Sequence, residues 1–140
     1  MDVESAIALL ALAPHPEGGW YAETWRDEAP TGVRPASSAI YYLVARGDAS
    51  RWHRVDATEV WHWYAGAGLR LSVSRAGTGV VEHRLGPDLA AGERPQAVVP
   101  PGAWQSASSD GDWTLVGCTV APAFSFDGFE LAPDGWAPGR

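Results

Sequence analysis

Apolar residues along this chain come in short runs, and glycine and proline, 16 and 11 in number, cut those runs apart. Only the beginning follows a helical period. Val3, Ile7, Leu10 and Ala11 are spaced for one face of a helix over Val3 to Ala13, with Asp2 as N-cap and Pro14 and Pro16 as stops. Beyond it the runs are rich in Val, Leu, Trp, Tyr and Thr, residues that fit a pleated, half-buried surface. Strands are expected at Gly19 to Trp25, Ala39 to Ala45, Glu59 to Ala65, Leu69 to Ser74, Val80 to Leu85, Gln96 to Val99, Gln105 to Ala107 and Thr114 to Val120. Ala76-Gly77-Thr78-Gly79 and Ser109-Asp110-Gly111-Asp112 read as hairpin turns. Strands this short and this numerous predict an all-β sandwich or barrel with one short N-terminal helix.

Composition narrows the picture without changing it. The 140 residues suit one domain, 1–140, with a helical start over 1–14 and a surface tail over 133–140. An apolar fraction of 46%, with 8 Trp, excludes a disordered chain. The net charge is −7 and the ten basic residues, all arginine, are scattered singly, so no basic stripe is present to follow nucleic acid. The first apolar run is preceded by Asp2 and Glu4 instead of the basic residues of an export signal, and no apolar run is long enough for a membrane span. A cytoplasmic protein is expected. Cys118, alone and in an apolar context, reads as a small buried thiol.

The densest chemistry lies in Glu59-Val60-Trp61-His62-Trp63-Tyr64. Strand alternation puts Glu59, Trp61 and Trp63 on one face and Val60, His62 and Tyr64 on the other, which makes His62 structural. A carboxylate facing a barrel interior needs a partner or responds by raising its pKa. His53, Arg51, Arg54 or a metal are the candidate partners. Tyr21 and Glu23 share a strand face, and Arg26 is placed to pair with Glu23 or with an anionic substrate. No phosphate-cradling glycine loop and no nucleophile elbow is present.

His53, Glu59 and Gly66 resemble the first cupin motif, and Pro100-Pro101-Gly102-Ala103-Trp104-Gln105 resembles the second, with Gln105 standing where a histidine is usual. Longer blocks are similar to the fifth cupin subfamily, a domain of unknown function: HPEGGWYAETWR (His15 to Arg26), SSAIYYLV (Ser37 to Val44), HRVDATEVWHWYAG (His53 to Gly66), PQAVVPPGAWQSA (Pro95 to Ala107) and LVGCTVAPAFSFDGFELA (Leu115 to Ala132). The resemblance implies a cupin jelly-roll barrel that often pairs into homodimers. It also implies a metal set of three histidines and a glutamate, of which one histidine position falls near Arg54 or Val55 and another is Gln105. What remains is His53, Glu59 and Gln105, a shell suited to no cofactor or to one weakly bound divalent metal.

Three functions follow as expectations. The first is an acid-base isomerase or epimerase of a sugar or related small polar metabolite. In it His53, Glu59 and Glu23 move protons, Arg26, Tyr21, Trp61, Trp63 and Gln105 hold substrate, and Arg26 or Arg54 binds an anionic group. The second is a metal-dependent cupin using His53, Glu59 and Gln105. The third is a module that binds a sugar or base between Trp61 and Trp63 without turnover.

Overall fold

The structure, a computed structural model, describes residues 1–139; Arg140, the end of the expected surface tail, lies outside the described residues. Helix α1 spans Val3–Leu9, and the Asp2 carboxylate accepts from the Ser5 N–H at 2.8 Å as the N-cap. The helix is shorter than the expected 1–14. Ala11 takes a left-handed φ of 54°, the chain turns before the prolines, and Leu12 drops onto the barrel beside Ala6 and Leu43. Pro14 belongs to a two-residue strand, β1 (Ala13–Pro14).

Ten further strands follow: β2 (Trp20–Arg26), β3 (Ser38–Ala45), β4 (Ala49–Val55), β5 (Thr58–Gly66), β6 (Leu69–Ser74), β7 (Val81–Leu85), β8 (Gln96–Val99), β9 (Trp104–Ser109), β10 (Trp113–Ala121) and β11 (Phe129–Leu131). They form two antiparallel sheets, ordered β1-β2-β3-β10-β5-β8 and β11-β4-β9-β6-β7. This is the all-β jelly-roll barrel expected. The turn at 76–79 joins the paired β6 and β7, as expected. The turn at 109–112 does not make a hairpin: β9 pairs with β4 and β6 while β10 pairs with β3 and β5, so this turn carries the chain from one sheet to the other. Over the outer face of the five-stranded sheet runs the C-terminal segment, anchored by Trp136 against Trp104 at 4.5 Å between ring centroids.

Along the barrel axis the interior changes character. At one end Tyr42, Val44, Trp61, Leu69, Leu71, Leu85 and Val116 fill the space between the sheets. At the other end the same strands present Ser38 and Ile40 from β3, Glu59 from β5, and Cys118 and Val120 from β10 to a cavity. Helix α1 covers one part of the six-stranded sheet's outer face, packing Val3, Ile7 and Leu10 on Leu43, Trp113 and Leu115.

Candidate functional site

Two bulges and one glycine turn build the polar end. In β4 the pairing with β9 slips between Ser50 and His53, so these two residues, three apart, both face inward and are buried. A second slip in β2 between Glu23 and Trp25 does the same for Glu23 and Arg26, which both line the cavity despite opposite parity. The third device is the turn after His15. Gly18 and Gly19 take φ of 102° and 77°, a region costly for residues with a Cβ. A Cβ on Gly19 would lie 2.8 Å from the Leu43 carbonyl. The turn thus presses into the barrel mouth and buries Glu17, while the Arg51 N–H donates to the Glu17 carbonyl at 2.6 Å and ties the turn to β4.

Glu17 is the functional residue that sequence reasoning missed. Its carboxylate lies 2.7 Å from His53 Nε2, with both side chains almost wholly buried. His53 Nδ1 lies 2.7 Å from the Arg51 carbonyl, which can only accept. With a carboxylate on one nitrogen and a carbonyl on the other, both ring nitrogens carry protons and His53 is an imidazolium. The electrostatics agree. Against the cost of burial, Glu17 holds the His53 pKa above its ordinary value, and His53 in return holds Glu17 below the usual carboxylate range. The His15 ring lies beside this pair, its Nδ1 accepting from the Glu17 N–H at 3.1 Å, and burial pushes its pKa down.

Glu59 has a different environment. Its Oε1 accepts from Gln105 Nε2 at 2.8 Å, and Gln105 Oε1 accepts from Trp61 Nε1 at 2.9 Å. An indole N–H only donates, so it fixes the amide oxygen toward Trp61 and the amide N–H toward the carboxyl. Burial, with the charge of Glu59 nearby, pushes the Cys118 thiol to a pKa well above its ordinary value. Burial raises Glu59, the charge of His53 lowers it and that of Glu17 raises it, and the result is a pKa of about 7.

The cavity brings together most of the expected residues: Tyr21, Glu23, Arg26, His53 and Glu59 all line it. Three do not. Gln105 is fully buried behind Glu59, and Trp61 belongs to the packed core, where it meets Tyr42 edge-on. Trp63 packs against that core with its Nε1 donating to the Ala67 carbonyl. An aromatic platform between Trp61 and Trp63 is therefore absent, and the rings at the cavity are those of Tyr21, Phe124 and Phe126 with the imidazoles of His15 and His53. Arg54 also lies elsewhere, over the Trp104 ring and paired with Glu130 at 2.9 Å, and Arg51 pairs with Asp134 at 2.9 Å. Arg26 donates through Nε and Nη2 to the two Glu23 oxygens at 3.0 and 2.9 Å and to the Phe124 carbonyl, so it arrives already paired. His62 faces outward between Thr119 and Gln96, as its parity required.

A metal on His53, Glu59 and Gln105 does not fit this arrangement. Both His53 nitrogens are engaged and protonated, and the Gln105 oxygen is turned to Trp61. Among the described residues no group of three or more His, Cys, Asp or Glu is arranged to hold a metal ion. Nor, among them, is any helix long and apolar enough to cross a membrane.

The barrel, its two sheets and a mouth bordered by the His15–Gly19 turn are those of a cupin. Residues 4–132 match Cupin_5, the cupin superfamily group described as DUF985, and the chain belongs to that family. Its fold is similar to protein SO0799 from Shewanella oneidensis, at 39% identity over 94% of this chain and 85% of that one, with a TM-score of 0.89. It is also similar to a hypothetical protein from Leishmania major, at 29% identity over 94% and 88%, with a TM-score of 0.86. An oxalate decarboxylase from Bacillus subtilis shares the fold at 12% identity, over 85% of this chain and 29% of that one, with a TM-score of 0.65. No curated protein matches the chain.

Proposed function

We propose that this cupin is an acid-base enzyme, an isomerase or epimerase that moves a proton on a small polar metabolite such as a sugar. The observation that carries the reading is Glu59: a buried carboxyl at the cavity with a pKa of about 7. At neutral pH such a group is divided between its acid and base forms, the condition in which one residue can take a proton and return it. The Glu17–His53 ion pair is a fixed charge beside it, and His53 acts through that charge, since neither ring nitrogen is free to serve as a base. Tyr21 and Glu23, which also line the cavity, are the groups available for a second proton transfer. The space enclosed is about 70 Å³, well below the roughly 300–1,000 Å³ of drug-sized sites, which favours a small substrate.

The test is proton exchange in D₂O across a library of sugars and small hydroxy and keto metabolites, followed by NMR. The reading predicts a metabolite whose carbon-bound proton exchanges with the wild-type chain and not with Glu59→Gln. Exchange that survives in the variant would contradict it.

We also propose that two copies pair through the six-stranded sheet. On its outer face cross-strand neighbours run Trp25-Ala39-Thr119-Val60-Val98 and Ala22-Tyr41-Gly117-His62-Gln96, and of these only Ala22 and Tyr41 pack against the cluster under α1. Neither row holds a charged residue, although the chain carries −7, and Trp25, Tyr64 and Val98 are 54%, 50% and 55% exposed. An uncharged face is one that two copies of a strongly acidic chain can share without like-charge repulsion. Sedimentation should give a dimer that Val98→Arg converts to a folded monomer; a monomeric wild type at micromolar concentration would contradict this. A free, buried Cys118 fits a reducing, cytoplasmic setting.

A further inference from the structure

We infer that the cavity selects against anions and takes a small ligand that is neutral or cationic, with a hydrogen-bond donor directed at Glu59 and an apolar body against Ile40, Val120 and Phe124. This deepens the acid-base reading and rests on it for the identity of the site.

The argument is a balance of charges. Three carboxylates line the cavity, Glu17, Glu23 and Glu59, against two cations, His53 and Arg26. Each cation already has its own carboxylate: His53 holds Glu17 at 2.7 Å, and Arg26 holds both oxygens of Glu23. His15 adds no charge, because burial favours its neutral form. Glu59 is the carboxyl left over, its partner Gln105 is a neutral donor, and the nearby Cys118 thiol is neutral. An anion entering here would meet no unpaired cation and would sit beside a carboxylate in a low-dielectric space, where like charges repel several-fold more strongly than in water. The negative charge of the whole chain acts in the same direction. A ligand N–H or O–H, in contrast, finds an acceptor in Glu59, and the remaining wall offers Ile40, Val55, Val120, Phe124 and Phe126. The expectation that Arg26 grips an anionic group is thus replaced by a neutral Arg26–Glu23 bracket at the cavity wall.

Three probes of one size decide the matter: propionamide, propylamine as its ammonium, and propionate, with inorganic phosphate as a fourth. Each is titrated into the full-length chain at pH 8 and followed by NMR of the His53 ring and the Glu59 carboxyl. The inference predicts saturable shifts with propionamide and propylammonium, and affinities for propionate and phosphate weaker by at least about tenfold. Glu59→Gln should erase the difference between amide and carboxylate, and Arg26→Gln should leave it in place. Propionate or phosphate binding as tightly as propionamide, with that binding lost in Arg26→Gln, would overturn the inference, since Arg26 would then leave Glu23 to hold the anion. Absence of saturable binding by all four probes would overturn it as well. The same spectra separate the two proposals. Glu59 titrating near 7 while propionate wins removes the inference alone. Glu59 titrating near its ordinary value while propionamide wins leaves the ligand preference and removes the acid-base role.

Discussion

The two ends of the barrel are made by the same strands and behave as opposites. On β5, Glu59 faces the cavity and Trp61, two residues on, is sealed in the core; on β3, Ile40 lines the cavity and Tyr42 and Val44 fill the barrel. At the packed end, burial of apolar surface supplies stability. At the open end, burial acts on charge: it raises Glu59 and leaves the His53–Glu17 pair dependent on one another. The bridge between the ends is Gln105, which hydrogen-bonds the indole of one and the carboxyl of the other. A small barrel can thus keep an ionisable pocket because half its length is packed solid.

The comparison breaks most visibly at the packed end. Trp61→Ala should cost about 3–5 kcal/mol in denaturant unfolding, because it opens a cavity and leaves the Gln105 oxygen without its donor. At the open end Glu17→Gln removes the counter-ion of a buried imidazolium. Because His53 can respond by losing its proton, the cost should fall to roughly 3 kcal/mol or less, with the His53 titration shifted downward in NMR.

Glu59→Gln should act in the opposite direction, and its effect depends on pH. The folded-state pKa of Glu59 is raised from 4.5 to about 7, so the native state binds the proton more tightly than the unfolded chain. The stability this confers is present below about 4.5 and is lost as pH rises through about 7. The variant lacks that loss, so relative to wild type it should gain stability between these values, reaching on the order of 3 kcal/mol at pH 8. His53 is raised too, so its contribution also fades at high pH, whereas Glu17 is lowered and its contribution is lost in acid. Parallel denaturation curves for wild type and variant at pH 5 and pH 8 check the sign. Gln105→Leu should cost about 1–3 kcal/mol and raise the Glu59 pKa further, by removing a bond to the charged form. Smallest for the fold is Val98→Arg on the exposed sheet face, within about 0.5 kcal/mol for unfolding of the single chain, whatever it does to pairing.

How far the sequence was legible follows the same division. Alternation made β5 and β6 readable, while β3 and β10, buried on both faces over Tyr42–Val44 and Val116–Cys118, were readable as apolar runs. Strand β4 was not read as a strand: Arg51, Trp52, His53 and Arg54 lack β-branched side chains, and the bulge breaks the alternation where His53 turns inward. The same device in β2 hid that Arg26 shares a cavity with Glu23. Glu17 was hidden for another reason. It sits in a turn, where no period applies, and the signal that pointed to it was a carboxylate between His15 and a Gly18-Gly19 pair whose left-handed backbone brings the turn against Leu43 and Tyr42. The Gln105 position was identified from its motif, but its role as a rigid link between Trp61 and Glu59 depends on side-chain contacts across β5 and β9.

The central claim is that Glu59 exchanges its proton near neutral pH beside a His53 whose pKa Glu17 holds above its ordinary value. Carboxyl-carbon NMR of the Glu59 side chain, assigned with Glu59→Gln and followed from pH 4 to pH 9, measures it directly. The account predicts an inflection at about 7, with the His53 ring titrating above its ordinary value. An inflection near the ordinary glutamate value of about 4.3, or a His53 that titrates below its ordinary value, would contradict it.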